Sequence, residues 1–164
     1  MLSVSCTTRE PRPGEVDGRD YRFISADEFQ RLIDAGAFLE RAEVFGHRYG
    51  TLFQPIAERL DLGRNVILEI DVQGATTVRQ KMPDAVLVFL APPSDEELER
   101  RLRARRTEAE AELERRLEAA RDEMRQASWF DHVVVNDQVD GAAAEVAAII
   151  DEASAPRGSA PDAS

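Results

Sequence analysis

The sequence contains few of the residues that form disulfides, metal clusters and membrane spans. Cys6 is its only cysteine, so neither an intramolecular disulfide nor a cysteine zinc cluster can form. The only histidines, His47 and His132, lack the spacing of metal ligands. The longest apolar runs, such as "AVLVFLAPP", are far shorter than a membrane span. These absences favour a globular protein in the reducing environment of the cytoplasm.

Basic charge is also scarce. The 164 residues include 32 acidic and 21 basic side chains, which gives a formal net charge of -11 at pH 7. Phosphate-rich surfaces would repel such a chain, which argues against nucleic acid and anionic membrane as partners. A local cationic pocket for one nucleotide is still compatible with this charge. With 43% hydrophobic residues, the length fits one globular domain of ordinary size.

Apolar runs bounded by turn residues predict an α/β fold. Asn65–Asp71, Ala85–Ala91 and the run "HVVVND" that begins at His132 have the composition of buried parallel strands. Helical patterns separate them, which predicts a parallel sheet flanked by helices. Capping boxes predict helix starts after Ser25, Ser94 and Thr107. Composition also predicts short strands within 2–6 and 19–24, a last helix over 139–153 and a disordered tail over 154–164.

The stretch "SVSCTTREPRPGEVDGRDY", Ser3–Tyr21, is dense in hydroxyl and guanidinium groups. Arg9 and Arg12 lie on a loop bent by Pro11, so both guanidinium groups can bind one phosphate. Further hydroxyl donors are those of Ser5, Thr7, Thr8 and Tyr21. Acidic residues balance the arginines of this region, so an ordinary solvated loop is the competing interpretation.

Two further stretches carry carboxylates suited to a nucleotide. In "FLERAEVFGHRYGT", Glu40 can accept two parallel hydrogen bonds, which guanine offers through N1–H and N2–H₂ and adenine does not. The turn with Tyr49 and Thr51 follows it, and a glutamate facing water is the alternative. In "LEIDVQG", Glu69 and Asp71 end a predicted strand, where they can hold Mg²⁺ through water or orient a sugar. Capping of the next helix by Asp71 is the alternative.

A cluster of arginines lies between Arg100 and Arg116. On helices that flank a loop, these side chains could close over a polyphosphate and stabilise charge during phosphoryl transfer. The same stretch contains enough glutamates to pair with them, so surface ion pairs along the helices are the alternative.

Taken in order, these segments resemble guanylate kinase, a family of P-loop nucleoside monophosphate kinases. The matching stretches are "SVSCTTREPRPGEVDGRDYRF", "FLERAEVFGHRYGT", "ILEIDVQGA", "FLAPPSDEELERRLRARRTE" and "VVVND". They run from Leu2 to about Ala153, and the spacing TTR-x-PR-x-GE-x-x-G-x-DY in the first is specific. The resemblance implies a domain over 1–153 with a P-loop kinase-type parallel sheet. A small mixed GMP-binding subdomain would span 2–54, the core 55–93 and 128–153, and the helical lid 94–127.

The resemblance also implies the reaction and its residues. The γ-phosphoryl group of ATP, bound with Mg²⁺, would pass to GMP to give GDP and ADP, without a covalent enzyme intermediate. Residues that match the GMP phosphate site are Ser5, Arg9, Arg12, Tyr21 and Tyr49. Residues that match the guanine and GMP contacts are Glu40, Thr51 and Asp71. Candidate lid arginines are Arg105, Arg116 and, with a looser match, Arg101; Arg9, Arg105 and Arg116 are the candidate catalytic residues, and Glu69 is the candidate metal ligand through water.

The sequence departs from the family pattern at two places. The lid motif Gly-Arg-Gly-Thr reads Ala104–Thr107, "ARRT", which should stiffen the hinge. The GxxxxGK[ST] loop with which the family fold opens is not found, and the only lysine, Lys81, has no glycine frame. We therefore expect that the sequence starts too late, by roughly 30 residues. We also expect this chain alone to be poorly stable and to lack ATP-dependent activity.

Two other functions are compatible with the sequence. One is a noncatalytic module that keeps the pocket for GMP or a phosphorylated ligand and has lost phosphoryl transfer. Glu40 and Thr51 argue against a phosphopeptide module, since such a binder does not need a guanine reader. The other is a kinase of the same fold with a different acceptor, against which Glu40 also argues. The sequence leaves the oligomeric state open.

Overall fold

The computed structural model describes residues 1–104 and 110–155. Within it the chain forms two compact units, Met1–Ala85 and a second that begins at Val86. Both combine helices with strands, which confirms the predicted α/β class. The predicted subdomain boundaries at 54/55 and 93/94 stay predictions.

The first unit contains a mixed four-stranded sheet. Its strands are β1 (Cys6–Thr7), β2 (Arg22–Phe23), β3 (Phe38–Val44) and β4 (His47–Leu52), in the order β2-β1-β4-β3. β1 and β2 pair in parallel, whereas the other pairs are antiparallel. Phe45 and Gly46 close the β3–β4 hairpin with φ of 49° and 77°, as a two-residue turn between twisted strands requires. The predicted strand at 19–24 forms over two residues, as β2, whereas the strand predicted at 2–6 overlaps β1 only at Cys6.

Three helices complete this unit: α1 (Ala26–Asp34), α2 (Phe53–Asp61) and α3 (Val72–Lys81). Ser25 Oγ accepts the Glu28 N–H at 3.1 Å and so caps α1. Only this half of the predicted capping box forms, because the Glu28 carboxylate accepts a hydrogen bond from Arg22 instead of reaching back. Asp71 caps α3 through a 2.7 Å bond from the Gly74 N–H.

The predicted buried strand over Asn65–Asp71 is wrong. Among the described residues, its only bridge joins Ile67 to Leu2, with backbone hydrogen bonds of 2.8 and 2.9 Å on either side. Ile67 and Glu69 are exposed, while Leu68 and Ile70 pack with Leu39, Ile56 and Val78. The run therefore packs on the core with one face only. Its apolar composition predicted more burial than the structure shows.

β3 separates two hydrophobic clusters of the first unit. Phe38 stacks on Phe29 of α1, with ring centroids 4.6 Å apart, beside Cys6. Leu39, the next residue, packs on the opposite side with Ile56 and Val78. α1 thus covers one face of β3, and α2 and α3 cover the other.

The second unit pairs two parallel strands, β5 (Val88–Ala91) and β6 (His132–Val135). This confirms two of the three predicted parallel strands. Its helices are α4 (Asp95–Ala104), α5 (Glu110–Arg125), a short 3₁₀ helix (Ala127–Trp129) and α6 (Val139–Ser154). The predicted helix over 139–153 is confirmed, with one more residue. The capping box at Thr107 and most of the predicted tail lie outside the described residues.

Candidate functional site

Buried polar side chains of the described residues gather on the mixed sheet of the first unit. They are Thr7, Arg9, Glu40 and Thr51. Burial of a polar or charged group is costly unless hydrogen bonds or ion pairs compensate it. A fold that buries a glutamate and an arginine in one small unit therefore marks that unit as a site.

Arg9 is 8% exposed and is held from several sides. Its two terminal nitrogens donate to the two carboxylate oxygens of Glu15 at 3.0 and 2.8 Å, and one also donates to the Glu10 carbonyl at 2.7 Å. The guanidinium carbon lies 5.5 Å from the centre of the Tyr21 ring and 5.8 Å from that of Phe23. Nε is buried, and no described residue accepts a hydrogen bond from it. Arg9 is thus fixed as a cation in an aromatic frame.

Glu15 links Arg9 to the loop that carries Arg12. Its carboxylate accepts the Arg12 N–H at 2.6 Å as well as the Arg9 bonds. Hydrogen bonds from Arg9 and then from this N–H hold the pKa of Glu15 below its usual value. The Arg12 side chain itself is exposed. Sequence reasoning missed Glu15, since it counted this residue only among the acids that balance the loop.

Two tyrosines and a serine complete the surroundings of Arg9 and Thr51. Tyr21 meets Tyr49 edge to face at 6.0 Å, and burial raises the pKa of Tyr21. Ser5 Oγ lies 2.9 Å from Thr51 Oγ1. The structure therefore brings together most of the residues that the resemblance assigned to the GMP phosphate.

Glu40 lies on β3 opposite Thr51 of β4. It is 4% exposed, and its Oε1 is buried without a hydrogen-bond donor from the described residues. Burial raises the pKa of Glu40, while hydrogen bonding from Thr51 opposes that shift. The interpretation of Glu40 as a solvent-facing glutamate is wrong, because the strand turns its carboxylate inward.

The N-terminal turn of α3 closes against Glu40. A Cβ built on Gly74 would lie 2.7 Å from Glu40 Oε2, so a larger residue at this position would displace the carboxylate. Asp71, the cap of this helix, is close enough that its charge also raises the pKa of Glu40. The capping interpretation of Asp71 is confirmed, and the same position sets it beside Glu40. Glu69, two residues earlier, is exposed.

The candidate lid residues lie in the second unit. Arg101 donates to Glu97 at 2.6 Å and to the Asp137 carbonyl at 3.4 Å. Arg100 also binds Glu97, and Arg103 binds Glu99 and Glu110, so ion pairs along and between helices form as the alternative interpretation held. Arg116 is half-buried on α5, and Arg105 lies outside the described residues.

The described residues offer neither a metal-binding cluster nor a membrane-spanning helix. Residues 1–104 and 110–155 contain no group of three histidine, cysteine or acidic side chains that could hold a metal ion. In the same part of the chain, no helix has both the length and the apolar character that a membrane span needs.

Fold and site together define a class. The first unit of this α/β protein contains a buried carboxylate and a buried arginine that is framed by aromatic rings. Together these groups suit a compact ligand that has both hydrogen-bond donors and anionic charge, such as a nucleotide. A family model described as guanylate kinase matches residues 1–153. The chain belongs to the guanylate kinase family.

Individual relatives agree with this assignment. A guanylate kinase of Caldanaerobacter subterraneus subsp. tengcongensis is 48% identical over 149 residues, which are 91% of this chain and 72% of that protein. One of Synechococcus elongatus is 53% identical over 150 residues, with coverage of 92% and 82%. The crystal structure of guanylate kinase from Anaplasma phagocytophilum superimposes with a TM-score of 0.83 at 35% identity, and the match covers 96% of this chain and 77% of that one.

Proposed function

We propose that this protein is a cytoplasmic enzyme that transfers the γ-phosphoryl group of MgATP to GMP, giving GDP and ADP. The observation that carries the acceptor is the buried Glu40 carboxylate, whose Oε1 has no donor among the described residues. A buried acceptor of this kind is costly unless a ligand pairs with it. Guanine supplies two adjacent N–H donors for one carboxylate, and adenine lacks that edge.

The remaining GMP contacts follow from the same unit. Thr51 and Asp71 flank Glu40 and would complete the guanine pocket. Arg9 would bind the GMP phosphate with Tyr21 and Tyr49 beside it, since Glu15 and the aromatic rings already fix its guanidinium. Arg12 and Ser5 would add donors from the rim.

The ATP side rests on the second unit. Arg101, Arg105 and Arg116 would neutralise the charge of the phosphates during transfer, which needs positioned cations and no covalent intermediate. Mg²⁺ would bind mainly to the ATP phosphates, with the exposed Glu69 carboxylate reaching it through water, because the donor set offers single carboxylates and no metal cage among the described residues. When bound, the ion neutralises charge on the β- and γ-phosphates.

Titration calorimetry on the full chain tests the acceptor. We expect GMP to bind and AMP to bind far more weakly, and Arg9→Ala to abolish measurable GMP binding. Arg41→Ala is the matched control, since Arg41 is exposed on the same sheet and should leave affinity unchanged. Absence of GMP binding, or equal affinity for AMP, would contradict the proposal.

A coupled assay of ADP release then tests the reaction. Turnover of GMP with MgATP would support the enzyme and would contradict the expectation, drawn from the missing GxxxxGK[ST] loop, that this chain alone has no ATP-dependent activity. GMP binding together with no turnover would favour a noncatalytic GMP-binding module.

A further inference from the structure

Lys81 is the only lysine of the chain and the last residue of α3. Its Nζ donates to the Leu39 carbonyl at 2.6 Å and to the Phe38 carbonyl at 3.1 Å. These are the two peptide carbonyls that precede Glu40. Lys81 as a whole is exposed, but its ammonium group is fixed by hydrogen bonds to the main-chain carbonyls of two buried residues.

The carbonyls belong to an irregular part of β3. The register with β4 shifts between Phe38 and Glu40, so that Leu39 is an extra residue between the two pairs. Such bulges disrupt the ladder locally and re-aim a side chain. Phe38 pairs with Leu52 and Glu40 with the adjacent Thr51, so the extra residue places Glu40 on the face opposite to Phe38, where its carboxylate lies against Gly74 of α3. The bulge is therefore the feature that turns Glu40 inward.

The other end of the same helix contacts the Glu40 carboxylate. Gly74 in its first turn leaves just enough room for Oε2, and Asp71 caps it beside that group. The C-terminal residue of α3 therefore holds the backbone just before Glu40, and the N-terminal turn of α3 borders the Glu40 side chain. The positive charge of Lys81 also lowers the pKa of Glu40, against burial and the negative charge of Asp71, which raise it.

We infer that Lys81 is a positioning residue for guanine specificity: by bonding the carbonyls of the β3 bulge, it fixes the carboxylate of Glu40 where the base is read. This inference rests on the proposed binding of GMP. Lys81 does not touch the nucleotide in this account and acts through Glu40 alone.

A purely structural role makes a different prediction. If Lys81 only stabilised the packing of α3 on β3, its loss would lower the folded fraction and weaken all nucleotides alike. If it positions Glu40, its loss weakens chiefly the ligand that uses the guanine amino group. Inosine monophosphate lacks this amino group and keeps the rest of GMP, so the ratio of the two dissociation constants isolates the effect.

Calorimetry with GMP and inosine monophosphate is carried out on the full chain and on Lys81→Met, Lys81→Gln and Arg64→Met. In Lys81→Met, we expect the preference for GMP over inosine monophosphate to fall at least tenfold. The preference of Lys81→Gln should lie between that of Lys81→Met and that of the unmodified chain. Arg64→Met removes an exposed positive charge of the same unit and should leave the preference unchanged. Partial unfolding lowers the measured stoichiometry and leaves the ratio intact. If Lys81→Met does not fold, Lys81→Gln decides.

A folded Lys81 variant with an unchanged ratio would overturn the inference. Failure of the proposed function looks different, because it would show in the unmodified chain as no preference for GMP over AMP.

Discussion

At the scale of the residue, Glu40 is a carboxylate held in the interior for binding at the expense of stability. Burial raises its pKa, so the folded state favours the protonated form more than the unfolded chain does. The sign follows from linkage: the folded state gains stability as the pH falls through the raised pKa and is less stable where Glu40 is ionised. Ligand binding needs the opposite form, the carboxylate with two acceptor oxygens.

Glu40→Gln should therefore separate binding from stability. We expect GMP affinity to fall about tenfold to a hundredfold, since a hydrogen bond to a charged group contributes about 1.5–3 kcal/mol. The free energy of unfolding at pH 7 should stay equal or rise, because no buried charge remains. Calorimetry and urea denaturation measure the two effects. Glu43→Gln, at an exposed position on the same strand, is the control and should leave binding unchanged.

The pH dependence of binding is a second consequence of the raised pKa. Affinity for GMP should decline as the pH falls through the pKa of Glu40, and this decline should begin above the usual range of an exposed glutamate, near pH 4.5. Thr51 and Lys81 oppose the shift and Asp71 adds to it. Affinity that stays constant down to pH 4 would contradict the assignment of Glu40 as the reader.

At the scale of the element, α3 and β3 are coupled, because close contacts at Gly74 and at Lys81 join the helix to the strand. A Cβ at Gly74 would lie 2.7 Å from Glu40 Oε2 and 3.1 Å from the Ile70 Cβ. The Glu40 carboxylate is flexible and can move away, whereas the Ile70 Cβ is attached directly to the backbone and can move only if the backbone shifts with it. The cost therefore falls first on the position of Glu40 and second on packing.

Gly74→Ala should lower GMP affinity at least tenfold and destabilise the chain by about 1–3 kcal/mol through overpacking. Gly141→Ala in α6 is the matched control, because open space surrounds a Cβ there. Alanine in place of a helical glycine stabilises by about 0.5–1 kcal/mol, so this control should melt at a slightly higher temperature. Thermal melts and calorimetry on both variants make the comparison; equal affinities would contradict the close fit of Gly74 to Glu40.

α4 provides a separate electrostatic prediction. Hydrogen bonds from Arg100 and then Arg101 lower the pKa of Glu97 to about 2. These surface ion pairs should persist through mildly acidic pH and be lost only as the pH falls towards that value. Side-chain carbon NMR should show Glu97 still ionised at pH 3.5. A Glu97 midpoint near 4.5 would show that the pairs do not form in solution.

At the scale of the whole molecule, charge is the dominant property. The net charge of -11 at pH 7 keeps molecules apart, although several large apolar side chains are exposed. These include Leu2, Ile67, Leu90, Val133 and Val135. Repulsion disappears near the isoelectric point, about 4.7.

We expect the chain to self-associate near pH 4.7 and to disperse again at pH 7, with dynamic light scattering as the measurement. Screening by added salt at pH 7 should cause a smaller increase in size, because it weakens the same repulsion. A single particle size at both pH values would contradict this account.

The sequence alone determined the features that depend on local pattern. Alternating strand and helix signals predicted the α/β class, β5, β6 and α6, and the capping serines predicted where α1 and α4 begin. The motif spacing led to the family, which the family model confirms. Hydrophobic period and capping act over a few residues, so one-dimensional information is enough for them.

Only the tertiary structure decided what depends on contacts between distant parts of the chain. It showed that the apolar run at 65–71 covers one face only, that Glu15 fixes Arg9, and that a bulge held by Lys81 turns Glu40 inward. Lys81 and Leu39 are 42 residues apart in the chain, and no local pattern links them. Burial, hydrogen-bond acceptors without donors and pKa shifts all arise from packing in three dimensions. The sequence could therefore predict which residue types form the site, but not how they act on one another.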